Sequence, residues 1–240
     1  MVTGALAQGG YFMGDHLSTA RTGNQKGYFE DREINQINED LLAAILPARP
    51  RIIGKWFFHD RFANMQRWLA RVPLGTPLAA TAEITRRIQK MTRRTPYCFK
   101  DPRFSYTLPV WRPHLGDAVF VVVFRHPGRT AKSILKECHD SQYLRDLAID
   151  FDQALAGWTL MYRHILETHR STGEWLWLHY DQVLQPIGQA RLESFVDAQV
   201  DRAFPDAALQ HPAREDGVPA ETLAVYQQLC DLAGYRESKS

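Results

Sequence analysis

The feature that most constrains this chain is the apolar run at 118–124 (Ala-Val-Phe-Val-Val-Val-Phe), followed at once by Arg125-His126-Pro127-Gly128. A short unbroken run rich in valine and phenylalanine reads as a strand buried on both faces, as the central strands of parallel sheets are. Pro127, with its fixed φ and no N–H to lose, suits a helix start, and the pattern after it predicts a helix over 129–139. Parallel strands need crossover helices, and the rest of the chain supplies both kinds of segment. Residues 97–100 and 174–179 are further β-prone runs. Helical patterns cover 104–115 (interrupted by Pro109), 146–170 and 181–199. Upstream, 32–46, 60–71 and 77–93 read as helices and 51–56 as another strand. Strand and helix in alternation predict an α/β fold, a parallel sheet in three layers with helices on both faces.

Composition narrows the class. With 240 residues, 45% of them hydrophobic and 23% charged, the chain has ample material for one core and reads as a single domain over 1–240. A net charge of +2, from 29 basic and 27 acidic side chains, gives no chain-wide positive field and speaks against a nucleic-acid partner. The longest apolar run falls far short of the roughly 20 residues of a membrane span, and no signal peptide pattern precedes it, so the expectation is a cytoplasmic protein without an integral membrane segment. Cys98, Cys138 and Cys230 form no C-x-x-C, the histidines form no H-E-x-x-H, and no G-x-S-x-G occurs. Disulfide frameworks, metal sites and nucleophile-elbow hydrolases are thereby disfavoured.

The handover from strand to helix is where chemistry is expected, because open α/β sheets bind ligands at the carboxyl ends of their strands. There Arg125, the free N–H groups of a helix start and the Ser133 hydroxyl can converge on a phosphate dianion. The plain alternative is that Arg125 pairs with a neighbouring carboxylate and Ser133 is a surface serine. His126 reads as a turn residue. Neither G-x-x-x-x-G-K-[ST] nor G-x-G-x-x-G occurs anywhere; the nearest imitation, 23–27, follows no strand and reads as a turn. Residues 1–7 read as a helix already under way.

Several segments in order resemble the sulfotransferases that use 3′-phosphoadenosine 5′-phosphosulfate, particularly the short bacterial group. Arg125, Pro127 and Ser133 match the family's strand-end Arg, the Pro two residues on and the Ser eight residues on. Gly14-Asp15 and the stretch Asn24 to Asp31 resemble its "GD … N-P-K-G-Y-F-E-D", with Gln25 in place of the proline. Lys100-Asp101-Pro102-Arg103 matches its "K-D-P-R", and His179 to Leu184 resembles its "R-Y-E-D-L-L". Trp158 falls where the family often has a helix tryptophan. The likeness runs from about Gly9 to Tyr235, nearly the whole chain.

The resemblance implies a P-loop NTPase-like sulfotransferase fold and transfer of sulfuryl from 3′-phosphoadenosine 5′-phosphosulfate to a hydroxyl of a small molecule, sugar or glycolipid, without metal. It implies that Arg125 and Ser133 hold the 3′-phosphate and that Tyr180 lies against the nucleotide; a core phenol is the alternative for Tyr180. Glu30 is the first candidate for the acceptor's general base, against a plain helix-capping role, and Asp101 is the second. Lys100 and Arg103 suit contacts to sulfate or phosphate oxygens, or else ion pairs with Asp101 or Asp117. The basic set Arg86, Arg87, Lys90, Arg93 and Arg94 reads as a solvated helix face or an acceptor-side patch. In the family an apolar strand and a loop like "P-R-S-G-T-S" cradle the 5′-phosphosulfate. The chain carries neither within its 240 residues. The resemblance therefore reads it as N-terminally truncated, with a slot left beside the buried strand. A sulfotransferase and an inactive protein keeping only the 3′-phosphate half-site are the two functional expectations.

Overall fold

The computed structural model describes residues 1–18, 26–50, 52, 54–144, 146–206 and 217–237. Among these, two strands form a parallel sheet: β1 (Phe120–Phe124) and β2 (Trp175–His179), in register from Phe120 opposite Trp175 to Phe124 opposite His179. The helices are α1 (Val2–Ala5), α2 (Arg32–Ala43), α3 (Gly54–Phe57), α4 (Ala82–Thr92), α5 (Phe104–Trp111), α6 (Pro127–Asp140), α7 (Phe151–Arg163), α8 (Tyr180–Val183), α9 (Pro186–Val196) and α10 (Ala220–Ala233). No helix among the described residues is long and apolar enough to cross a membrane.

Strand alternation explains the layering. Val122, Phe124 and Trp177 pack with Trp158 of α7 and Val225, Tyr226 and Leu229 of α10. Val121, Val123, Leu176 and Leu178 point the other way, onto Ala5, Leu6, Leu192 and Val200. The fold is thus α/β with helices on both faces of a small sheet. In parallel pairing alternate residues turn their N–H and C=O to alternate sides. The Phe120 N–H donates to Glu174 O, so Val121 and Val123 turn their backbone groups away from β2, into a cavity that both residues line. Tyr162 Oη donates to the Val123 carbonyl there.

Several expected elements are different, each for a local reason. The strand expected at 97–100 is reduced to one parallel bridge, Phe12 with Tyr97, because only Pro96 O and Cys98 N find partners, both on Phe12. In the 51–56 segment, residues 54–57 are helical, with Arg49 Nε donating to Gly54 O at 3.0 Å; Arg51 and Ile53 lie outside the described residues. The helix expected over 60–71 shrinks to a 3-10 turn at Arg67–Leu69. There Glu39 accepts from the N–H groups of Met65 and Arg67 and Gln66 Oε1 accepts from the Ala63 N–H, bonds that compete with a helical ladder. The expected helix over 181–199 breaks into α8 and α9 because Pro186 pushes Gln185 into an extended conformation. The turn expected at 23–27 lies mostly outside the described residues.

Two helices show how side chains repair backbone. Pro109 sits inside α5 and has no N–H for the Ser105 carbonyl; His169 Nε2 donates to that oxygen instead, at 2.9 Å. Asp150 and Gln153 form a reciprocal capping box that starts α7, which runs on through a π-helical stretch, His164–His169. α10 falls where no element is assigned above, although Thr222, Val225, Tyr226, Leu229, Cys230 and Ala233 keep a helical period and are all buried.

Candidate functional site

Because Phe124 lies opposite His179, the residues that follow the two strands emerge side by side. The Arg125 guanidinium lies 5.2 Å from the centre of the Tyr180 ring. Burial lowers the Arg125 pKa from its ordinary value and raises that of Tyr180. His179, just before Tyr180, is buried, stacks on Tyr235 at 3.7 Å and is pushed down to about 4 by burial, so it is neutral at pH 7. On α6, Thr130, Ser133, Ile134 and Glu137 are spaced at i, i+3, i+4 and i+7 and so share one face. That face, together with Tyr180, lines a cavity of about 1570 Å³. Ser133 is exposed to solvent but faces this cavity.

A second group reaches the same cavity from the N-terminal half. Asp31 caps α2, accepting from the N–H groups of Glu33, Ile34 and His16 at 2.8, 3.2 and 2.8 Å. Gly14 allows this: a Cβ at its φ of +124° would stand 2.3 Å from the Asp31 side chain. Phe29 adopts a left-handed φ of 52°, strained for a non-glycine residue. The carboxylate of the next residue, Glu30, accepts from Lys100 Nζ on one oxygen and from Asn35 Nδ2 on the other, the latter at 3.1 Å. The side chain of Glu30 is 14% exposed and that of Lys100 42%. Glu30, Asn35 and Lys100 all line the cavity. Asn35 Oδ1 is buried without a partner, and so is Trp158 Nε1, on a cavity-lining ring 4.5 Å from that of Tyr162.

Asp101 and Arg103 also line this cavity, but their polar atoms are taken up by a buried network. Arg103 is 2% exposed. Its Nε donates to Glu39 at 2.7 Å, its Nη1 to Asp101 at 3.0 Å and its Nη2 to Met65 O at 3.2 Å. The other Asp101 oxygen accepts from Asn38 Nδ2 at 2.9 Å. Asn38 Oδ1 in turn accepts from Thr107 and Trp111, both at 2.8 Å. Burial opposes the charge on Arg103, but Asp101 and Glu39 outweigh it and raise its pKa. Burial likewise raises Asp101, against the pull of Arg103. This network ties α2 to α5. Every Arg103 nitrogen already has an acceptor, so binding phosphate would mean breaking a buried ion pair.

Three of the five basic residues of the α4 region are matched by acids: Arg86 pairs with Glu83, Arg87 with Glu33 and Asp40, and Arg94 with Asp15. Asn35 carries no motif and follows Glu30 at a spacing that no pattern singles out. Only the fold shows it beside the carboxylate. In comparisons with known proteins, no family model, no curated protein and no solved structure matches this chain.

Proposed function

We propose that the chain transfers a sulfuryl group from 3′-phosphoadenosine 5′-phosphosulfate to the hydroxyl of an acceptor. The observation that carries the reading is convergence: Glu30, Lys100, Ser133 and Tyr180, far apart in sequence, line one cavity that runs along β1. Arg125 and Ser133, with the N–H groups that open α6, suit the dianionic 3′-phosphate. Tyr180 offers a ring to the nucleotide. In the transfer the acceptor oxygen attacks sulfur while the S–O bond to the 5′-phosphate breaks, its electron pair leaving on the phosphate oxygen. Glu30 takes the acceptor's proton, and the Lys100 ammonium suits donation to oxygens whose charge grows.

A second reading, binding of the nucleotide through its 3′-phosphate end without turnover, is favoured by one observation: cationic and helix-start groups gather at Arg125, while no glycine-rich phosphate loop lies against the cavity among the described residues. Transfer of labelled sulfuryl to a panel of hydroxyl acceptors separates the two. Glu30→Gln keeps size and removes basicity, so the rate is expected to fall by about 10² to 10⁴ while affinity for adenosine 3′,5′-bisphosphate holds. Undiminished turnover would move the base to Asp101 or to water. Nucleotide binding without any turnover would favour the second reading.

A further inference from the structure

We infer that the acceptor is an apolar alcohol, its hydroxyl docked on Asn35 Oδ1 beside Glu30 and its body lying in the cavity; this rests on Glu30 being the base. Asn35 is 4% exposed, and its amide has only one sensible orientation. Nδ2 must face Glu30, since a carboxylate in an ion pair only accepts hydrogen bonds. That leaves Oδ1 as a buried acceptor with no donor, on a residue that lines the cavity. An orphaned acceptor is unfavourable, and a ligand O–H relieves it. A hydroxyl held there is next to the Glu30 carboxylate, and rotation of its single O–H from Asn35 Oδ1 to that carboxylate hands over the proton as the oxygen attacks.

The walls beyond Glu30 are largely apolar, with Asn64, Ser133, Glu137 and Gln153 among them. Tyr143 lies within the electrostatic reach of Glu30 and hydrogen-bonds with Trp68. Trp68 belongs to one cluster with Leu69, Ile134 and Ile149, and all of these line the cavity. The cavity volume of about 1570 Å³ exceeds that of an ordinary small-ligand pocket, leaving room for an acceptor body beside the nucleotide.

The test is calorimetric titration of the full chain, with adenosine 3′,5′-bisphosphate present, against 1-butanol through 1-octanol, octyl methyl ether and glucose. Affinity is expected to rise about fourfold per methylene. The ether, which has no O–H to give, should bind about tenfold more weakly than octanol. In Asn35→Ala, octanol and ether should become equivalent while nucleotide affinity is kept. Affinity independent of chain length, or glucose binding as tightly as octanol, overturns the inference; so does an alcohol preference that survives Asn35→Ala. The chain-length series uses the unaltered protein and does not depend on the variant folding. Chain-length-dependent binding without sulfuryl transfer would remove the proposed activity and leave the alcohol site standing; transfer to glucose with no alcohol binding would do the reverse.

Discussion

Replacing Arg125 by alanine tests the nucleotide assignment most directly. Arg125 follows the last residue of β1, lies 5.2 Å from the Tyr180 ring and is half-buried. The pairing of β1 with β2 fixes where its backbone stands. A charge-assisted hydrogen bond contributes about 1.5 to 3 kcal/mol, so losing one such bond to the 3′-phosphate weakens adenosine 3′,5′-bisphosphate by roughly tenfold to a hundredfold or more. Ser133 and the start of α6 remain, which keeps the loss from becoming total. Arg125→Lys keeps the charge but loses the planar fork, and an intermediate loss is expected. The assay is titration calorimetry with adenosine 3′,5′-bisphosphate and, in parallel, 5′-AMP, which lacks the 3′-phosphate and should hardly change. Equal losses for the two nucleotides, or no loss for either, would refute the assignment of Arg125 to that phosphate.

Arg103→Met leaves the Asp101 carboxylate buried without its cation, and urea denaturation should show about 3 to 5 kcal/mol less stability; a loss under about 1 kcal/mol would contradict the network's structural role. His169 is 2% exposed and burial pushes it down from 6.5 to about 4, so the folded state holds it neutral. Its contribution is complete above pH 6.5 and is lost as pH falls towards 4, roughly 3 kcal/mol in all. His169→Gln, which keeps a donor for Ser105 O, should flatten the decline in melting temperature over that window, and an unchanged pH profile would count against it. A Cβ at Gly188 would stand 2.0 Å from Gln182 O, so Gly188→Ala forces α8 and α9 apart and should cost roughly 1 to 3 kcal/mol by thermal melting.

Much of the frame was legible in the sequence because its causes are local. The valine-rich run ending at Phe124 and the proline three residues on announce β1 and α6. Asp31 before α2, and Asp150 with Gln153 at α7, are local caps too, although the helix expected over 146–170 begins ahead of the second one. The helix expected over 60–71 was not legible as a turn, because the carboxylate that holds Met65 and Arg67 belongs to Glu39, more than twenty residues earlier. The same distinction divides the candidate site. That Arg125 and Ser133 share one strand-to-helix unit follows from the sequence; that Arg125 lies over Tyr180 depends on β1 pairing with β2. Lys100 and Arg103, three residues apart, look equally suited to an anion. Folding turns one to Glu30 in the cavity and buries the other between Glu39 and Asp101. Asn35 has no signal in the sequence, since an unpartnered oxygen exists only once every surrounding group has been placed. Periodicity and capping act over a few residues and can be read along the chain, whereas ion pairing, burial and the shape of a cavity are set by groups that only the tertiary structure brings together.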